Sequence, residues 1–311
     1  MDLSILIVNW NTRELTSACL SALRSTADRV EADRLIYGPY RAEVIVVDNG
    51  SQDGSVARLH DEFPWLKLIE NAQNRGFAPA NNQAYCISSG RYVLLLNSDT
   101  QVYPGALPAL LDFMDSHPDC GGSGALLYNA DGSLQPSCHP MLTPWREFWR
   151  LIFLDRLWRR STYKMNDWDR TKPQQVEAIK GACLLVRRSA LDPAAPLLDE
   201  QYFMYTEEVD LCYRLAQRGW KLYWIPQAQV THFGEASSRQ AYDAMYVQLY
   251  RSKVQFYRKF GGEARARRFK QLVTAAYRPR LLAARLLTPL KPSLAARVQT
   301  FHYLLSELPA M

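Results

Sequence analysis

Tyr92-Val93-Leu94-Leu95-Leu96-Asn97-Ser98-Asp99-Thr100 decides the reading of this chain. Five apolar residues without a break are what a strand covered on both faces requires. The tetrad that follows is polar. A buried strand of this kind delivers Asp99, with the amide of Asn97 beside it, to the edge of a sheet. A carboxylate there suits a hard divalent cation, and such a cation suits a diphosphate. The same residues would also make a turn or cap a helix, so the neighbouring segments must decide.

Upstream, strand and helix patterns alternate. Leu3 to Asn9 is a second apolar run, and the N-terminus, with an acid at Asp2 and no basic stretch, reads as this strand and not as a signal peptide. Asn11-Thr12-Arg13-Glu14 has the form of a capping box, with Asn11 at the cap. Leu15, Ala18, Cys19, Ala22 and Leu23 follow at helical spacing. Glu43–Asp48 and Leu66–Glu70 read as strands, and 53–63 and 77–88 as helices. Repeated β-α-β units predict a parallel sheet with helices on both faces, an α/β fold. Ligands of such sheets bind at the carboxyl ends of the strands, where Asn9, Asp48 and Asp99 all fall.

Further along, Gly121-Gly122-Ser123-Gly124 and Asp131-Gly132 read as turns. Residues 144–168 are rich in Trp and Arg. A strand is predicted from Ala182 to Val186 and another from Leu222 to Ile225. Between them a helix starts near Glu207 and ends at Gly219. The last seventy residues read as basic amphipathic helix, with breaks at Gly261-Gly262, Pro279 and Pro289.

The 311 residues are 48% hydrophobic and 22% charged, enough for one large or two modest domains. No apolar run approaches the roughly 18 residues of a membrane span. The six cysteines form no C-x-x-C pair and read as buried thiols of a reducing compartment. Between residues 251 and 300 thirteen basic residues face the single acid Glu263, a local charge of +12, which leaves −6 on the rest of a chain whose net charge is +6. An acidic body with a basic tail suits an anionic surface. The lack of a recognition motif argues against nucleic acid as the partner.

Candidate ligand residues cluster around the strand ends. Asp48 and Asp53 sit in a loop of small residues, where a carboxylate can accept from a base N–H or a ribose hydroxyl. In Asn74-Arg75-Gly76-Phe77, Gly76 permits a tight turn. Asn81 and Asn82 lie inside the following helix, where Asn is not favoured.

At this point the chain resembles a known family. The succession Ile7-Val8-Asn9-Trp10-Asn11, Val47-Asp48-Asn49-Gly50-Ser51, Asn74-Arg75-Gly76-Phe77-Ala78 and Leu96-Asn97-Ser98-Asp99-Thr100 is similar to the family 2 glycosyltransferases, above all to their rhamnosyltransferase-like branch. The likeness continues in Lys180-Gly181-Ala182-Cys183, in Tyr205-Thr206-Glu207-Glu208-Val209-Asp210 and in Val230-Thr231-His232-Phe233-Gly234-Glu235-Ala236-Ser237.

The resemblance implies a GT-A fold, Rossmann-like with a mostly parallel sheet flanked by helices. Its domain would span 1–240, with a nucleotide-binding half at 1–100 and an acceptor and catalytic half at 101–240. Residues 241–311 would form a helical basic extension. It implies an inverting, metal-dependent hexosyltransferase. Asn9, Asp48, Asn74, Gly76, Phe77, Asn81, Asn97 and Asp99 would hold the nucleotide sugar. Asp99 and His232 would bind Mg2+ or Mn2+. Asn97 stands where the family's metal motif usually begins with Asp, which leaves one carboxylate for the cation. Glu208, or else Glu207, would be the catalytic base, in a motif that usually reads Glu-Asp. Gly181 and Ala182 would face the acceptor.

The implied donor is dTDP-rhamnose, with a UDP-hexose second. The implied acceptor is a glycan or lipid-linked sugar in cell-surface polysaccharide synthesis. A cytoplasmic place follows, with peripheral contact at the inner face of the plasma membrane through the Trp/Arg segment and the tail. An oligomer contact would use the same segments. Two rivals remain: a nucleotide-sugar-binding protein without catalysis, and a nucleotidyltransferase, whose glycine-rich basic phosphate loop Val8-Asn9-Trp10-Asn11-Thr12 lacks.

Overall fold

The computed structural model describes residues 1–155, 161–234 and 242–311. Trp158, Arg159 and Arg160 of the Trp/Arg segment, and Glu235, Ala236 and Ser237 of the last motif, lie outside the described residues. The chain forms two units. The first comprises Met1–His139, Met165–Glu200 and Glu207–Ser237; the second comprises Pro140–Lys164, Gln201–Thr206 and Ser238–Met311.

In chain order the first unit begins with β1 (Leu3–Asn9), α1 (Arg13–Thr26), β2 (Arg29–Glu31), β3 (Arg34–Tyr37), β4 (Tyr40–Asp48), α2 (Ser55–Glu62) and β5 (Lys67–Glu70). It continues with α3 (Phe77–Cys86), β6 (Tyr92–Leu96), β7 (Thr100–Val102), α4 (Ala106–Ser116), β8 (Cys120–Tyr128), β9 (Leu134–Gln135) and β10 (Cys138–His139). After α5 (Pro144–Leu151), which belongs to the second unit, come β11 (Gln174–Val176), β12 (Ala178–Ile179), β13 (Cys183–Arg187), α6 (Glu207–Gln217) and β14 (Lys221–His232). The second unit ends with α7 (Tyr242–Leu287) and α8 (Ala295–Glu307).

The main sheet runs β11-β14-β8-β13-β6-β1-β4-β3-β2. β1 pairs in parallel with β4 and β6, β4 with β5, and β8 with β14. The sheet is mostly parallel over the first hundred residues, as the apolar runs predict. It is mixed beyond that, because β13 lies antiparallel between β6 and β8. Leu3, Ile5 and Ile7 of β1 and Leu94 and Leu96 of β6 pack with Cys19, Leu20 and Leu23 of α1 and Leu107, Leu110 and Leu111 of α4. Each such leucine leaves water at a gain of about 2 kcal/mol.

Five local expectations are corrected. The capping box does not form. Asn11 adopts φ 52° and accepts from the Gln52 N–H, while the first free amide of α1, Arg13 N–H, is taken by Asp53 Oδ2 at 2.9 Å. A carboxylate from the next loop therefore does the capping. The second strand starts at Tyr40, earlier than Glu43, because the β2–β3 hairpin turns into it at Gly38.

The Gly121–Gly124 stretch is not a turn but part of β8, inside the sheet. A Cβ on Gly121 would lie 2.6 Å from Trp220 Cβ, and one on Gly124 2.3 Å from Ile179 Cγ2. Small residues are required there by what packs on the strand, not by its backbone. Finally, Pro279 does not interrupt α7; the break falls at Gly262, with φ 71°, and strand β14 runs on past Ile225 to His232.

At the amino ends of the strands a buried polar cluster closes the sheet. Glu43 accepts from Ser4 Oγ at 2.7 Å, Ser89 N–H at 2.7 Å and Lys67 Nζ at 2.6 Å. Burial alone would raise this carboxyl, but the hydrogen bonds from Lys67, Ser4 and Ser89 outweigh it and bring it down to about 2. A depressed carboxylate stabilises the fold above its unfolded value of about 4.3 and loses that contribution as pH falls toward 2. Thermal melts across that window should show wild type losing stability steeply on acidification. Glu43→Gln should start on the order of 2 kcal/mol lower, allowing for the solvent that reaches Lys67, and lose less. Parallel acid limbs would remove Glu43 from the account.

Candidate active site

The carboxyl ends of β1, β4 and β6 bring the polar motifs together. Register pairs Asn9 with Asp48. Asn9 Nδ2 donates to Asp48 Oδ1 at 2.6 Å, and Asp48 Oδ2 accepts from the Ser51 N–H at 2.9 Å. Asn9 Oδ1 accepts from the hydroxyls of Thr12 and Thr16, and Thr12 Oγ1 lies 3.2 Å from Ser98 Oγ. One buried chain of hydrogen bonds thus links Asp48 to the tetrad that holds Asp99. Asn9 spends its amide within this chain, which makes it a positioning residue.

The second loop is built on Asn49, which sequence reading passed over. Its Nδ2 donates to Asn74 Oδ1 and Gly76 O, and its Oδ1 accepts from the Arg75 N–H and Asn71 Nδ2. Asn74 Oδ1 also accepts from Gly76 N–H, which closes a tight turn with Gly76 at φ 94°. A Cβ on Gly50 would sit 2.7 Å from Gln73 Cα, so only glycine lets the two loops meet. Phe77 opens α3. Asn81 is buried within that helix and donates back to Phe77 O, while Asn82 donates to Leu198 O and Glu200 Oε1. The structure gives Asn81 a partner in its own helix.

The metal motif has a defined geometry. Strand β7 pairs with β14 so that Thr100 lies opposite His232. His232 Nε2 lies 3.2 Å from Asp99 Oδ1 and 3.1 Å from Asn97 Nδ2. His232 Nδ1 lies 2.7 Å from Gln135 Oε1, a group that can only accept, so Nδ1 carries the proton. The Gln135 amide is itself oriented, because its Nε2 donates to Asn129 Oδ1 and to His232 O. Nε2 therefore faces the Asn97 amide, which can donate to it, and the Asp99 carboxylate together. An imidazole nitrogen and a carboxylate 3.2 Å apart are donors of the kind a divalent cation takes. Among the described residues no three His, Cys, Asp or Glu side chains gather around one point. Asp99 and His232 are the two side chains here that could hold a cation.

The acidic motif opens α6. The chain enters it through Tyr205 and Thr206, both with left-handed φ of 68° and 74°. Thr206 is β-branched and pays for that conformation. Glu207 is buried, and its Oε2 has no hydrogen-bond partner among the described residues. Burial, and then the charge of Glu208, push its carboxyl well above the usual range. Glu208 is half-buried. A Cβ on Gly181 would lie 3.6 Å from Glu208 Cβ, and Ala182 O accepts from the Asn97 N–H at 3.1 Å. Gly181 and Ala182 therefore bridge the acidic motif and the metal motif. All six cysteines are thiols, and five of them are buried.

Gln135 and Asn49 have no signature in sequence, since an amide's role depends on what lies across from it. If Gln135 fixes the tautomer of His232, Gln135→Leu should weaken Mn2+ binding in the presence of a nucleoside diphosphate by roughly 10- to 100-fold. Calorimetric titration measures this; an unchanged affinity would rule the role out.

Comparison with known proteins shows the family and the fold. The Glycosyl transferase family 2 model matches residues 4–192. Over 208 residues the chain is 34% identical to the N-acetylglucosaminyl-diphospho-decaprenol L-rhamnosyltransferase of Mycobacterium tuberculosis, a match covering 61% of this chain and 66% of that protein. Over 217 residues it is 25% identical to the low-salt glycan biosynthesis hexosyltransferase Agl10 of Haloferax volcanii, covering 68% of this chain and 61% of that one.

Among solved structures, the mannosyltransferase PcManGT of Pyrobaculum calidifontis, in complex with GDP-Man and Mn2+, superposes with a TM-score of 0.54 at 17% identity, over 97% of this chain and 84% of that one. S. aureus TarS superposes with a TM-score of 0.54 at 14% identity, over 89% and 43%. These two likenesses bear on the fold alone. With the family model matching more than half its length, the chain belongs to the family 2 glycosyltransferases, in the rhamnosyltransferase-like branch, on a GT-A fold.

Proposed function

We propose that this protein is an inverting transferase that moves rhamnose from dTDP-rhamnose to a lipid-linked glycan acceptor in cell-surface polysaccharide synthesis. One observation carries the reading: the Asp99–His232 pair and Glu208 lie on the two sides of the Gly181-Ala182 bridge. A relative named for rhamnosyl transfer to a decaprenyl diphosphate sugar supports the choice of donor and acceptor.

In this reading Asp48 and the Asn74–Phe77 turn hold the nucleotide. Asp99 and His232 are the residues that would hold Mg2+ or Mn2+, whose charge neutralises the leaving diphosphate when bound. Glu208 takes the proton of the acceptor hydroxyl as that oxygen attacks the anomeric carbon. One in-line displacement inverts the centre. Gly181 leaves room for the acceptor beside Glu208. Glu207, buried and with its carboxyl pushed well above the usual range by burial and then by the charge of Glu208, serves as the wall behind the base.

The test is a thermal-shift screen of the full chain against dTDP-, UDP- and GDP-sugars with and without Mn2+. Turnover follows with a diphosphate-linked N-acetylglucosamine lipid. Stabilisation by dTDP-rhamnose with Mn2+, and inverted product, are expected. Preference for a UDP-hexose would replace the donor, and donor binding with neither transfer nor hydrolysis would replace the enzyme by a binding protein.

A further inference from the structure

The far end of α7 carries an apolar stripe that its own unit leaves uncovered. Leu282, Leu286 and Leu290 follow at four-residue spacing and are 60%, 69% and 84% exposed. The stripe is held by built structure. Thr288 N–H donates to Ala284 O at 2.9 Å and Lys291 N–H to Leu287 O at 2.9 Å, so the turn that carries Leu290 is hydrogen-bonded. Phe153, in the same unit, is 74% exposed and sits at φ 59°. The Arg280 guanidinium lies 4.4 Å from the centre of its ring. Phe153 and Leu287 both line one cavity of about 890 Å³ in this unit. An exposed apolar patch on a rigid element marks an interaction surface.

The charge around the stripe selects the partner. From residue 264 to 306 the chain contains no Asp or Glu. Arg280 and Lys291 have no carboxylate partner among the described residues. A second copy meeting this face through the same face would set basic against basic, since the acids of the nearby cavity are already engaged, Glu147 by Arg150 and Lys253 and Asp243 by the Thr300 hydroxyl. A nucleic acid would use the charges and leave the leucines wet. A bilayer with anionic headgroups uses both: leucine and phenylalanine side chains reach the acyl boundary, and arginine and lysine stay among the phosphates. Among the described residues no helix is long and apolar enough to cross a membrane.

We infer that the Leu282–Leu290 stripe seats the helical unit on an anionic lipid bilayer. The inference does not depend on which sugar is transferred, and its test uses neither donor nor acceptor. The full chain is floated with vesicles of phosphatidylcholine alone and with vesicles that also contain phosphatidylglycerol. Wild type should partition to the anionic vesicles at low salt, and added salt should weaken the binding. The double variant Leu286→Glu/Leu290→Glu should lose roughly tenfold or more in partition. Both side chains are exposed, so its melting temperature should match wild type.

Leu286→Trp gives a positive readout, a blue shift of its fluorescence on anionic vesicles alone. Wild type that stays off anionic vesicles, a double variant that still binds, or an unshifted tryptophan would each overturn the inference. So would a wild-type dimer that the double variant dissolves without any binding to vesicles.

Discussion

Glu208→Gln should lower kcat by roughly a thousandfold while leaving the Kd for the nucleotide sugar within about twofold of wild type. The substitution keeps size and polarity and removes only the capacity to take a proton. Glu208 packs its Cβ and Cγ near Gly181, and in the proposed reading it serves the acceptor, so the donor is not expected to register its loss. The companion variant decides between the two acids. Glu207 is buried with an unpartnered oxygen and its carboxyl is pushed well above the usual range by burial, so Glu207→Gln is expected to act through packing and not through loss of the base. It should cost no more than about tenfold, through packing. Single-turnover kinetics on both variants checks the pair. Near-normal turnover in Glu208→Gln, or a larger loss in Glu207→Gln, would exchange their roles.

Asp99→Ala is the second large effect. With Asn97 in place of an acid, Asp99 is the carboxylate that faces His232 Nε2, and nothing else among the described residues supplies a second one there. Its loss should lower kcat/KM by roughly 10² to 10³, the scale on which removal of one charge-stabilising group acts. Mn2+ should then fail to stabilise the donor complex. Chelation of wild type should give a loss of similar size, reversed by added Mn2+, whereas the variant should respond to neither. The measurement is kcat/KM across a Mn2+ titration. A variant with near-wild-type kcat/KM, or wild type indifferent to chelator, would remove the metal from the mechanism.

What sequence could and could not foresee divides along a physical line. Strands β1, β4 and β6 were legible because burial on both faces forces continuous apolar runs. Their ends were legible because the motifs stop there. The Gly121–Gly124 segment was misread because β8 obtains its place from what packs on it, Trp220 and Ile179, and glycine carries no periodicity. The cap of α1 was misassigned for a related reason: Asp53, forty residues away in sequence, reaches Arg13 N–H before any local side chain does. At the candidate site, Asp48 and Asp99 stood out by their place at strand ends, whereas His232, Glu207 and Glu208 were picked out only by resemblance to the family. Asn49 and Gln135 were not picked out, because an amide that fixes another residue's orientation looks in sequence like any surface amide. The breaks in the C-terminal helices were half legible: Gly262 kinks α7, while Pro279 sits in a helix whose other residues hold it.

The hydrogen-bond chain from Asp48 through Asn9 and Thr12 to Ser98 bears on how such an enzyme could be re-engineered. Donor choice is usually sought by transplanting the loop that touches the base. Here the 48–55 loop, which the proposed reading assigns to the nucleotide, shares its anchor with the tetrad that presents Asp99. A graft of residues 48–55 that leaves Asn9 and Thr12 unmatched would shift the Asp99 turn along with the new loop, so altered preference and lost rate would arrive together. Strand ends that travel as a set are the unit to exchange.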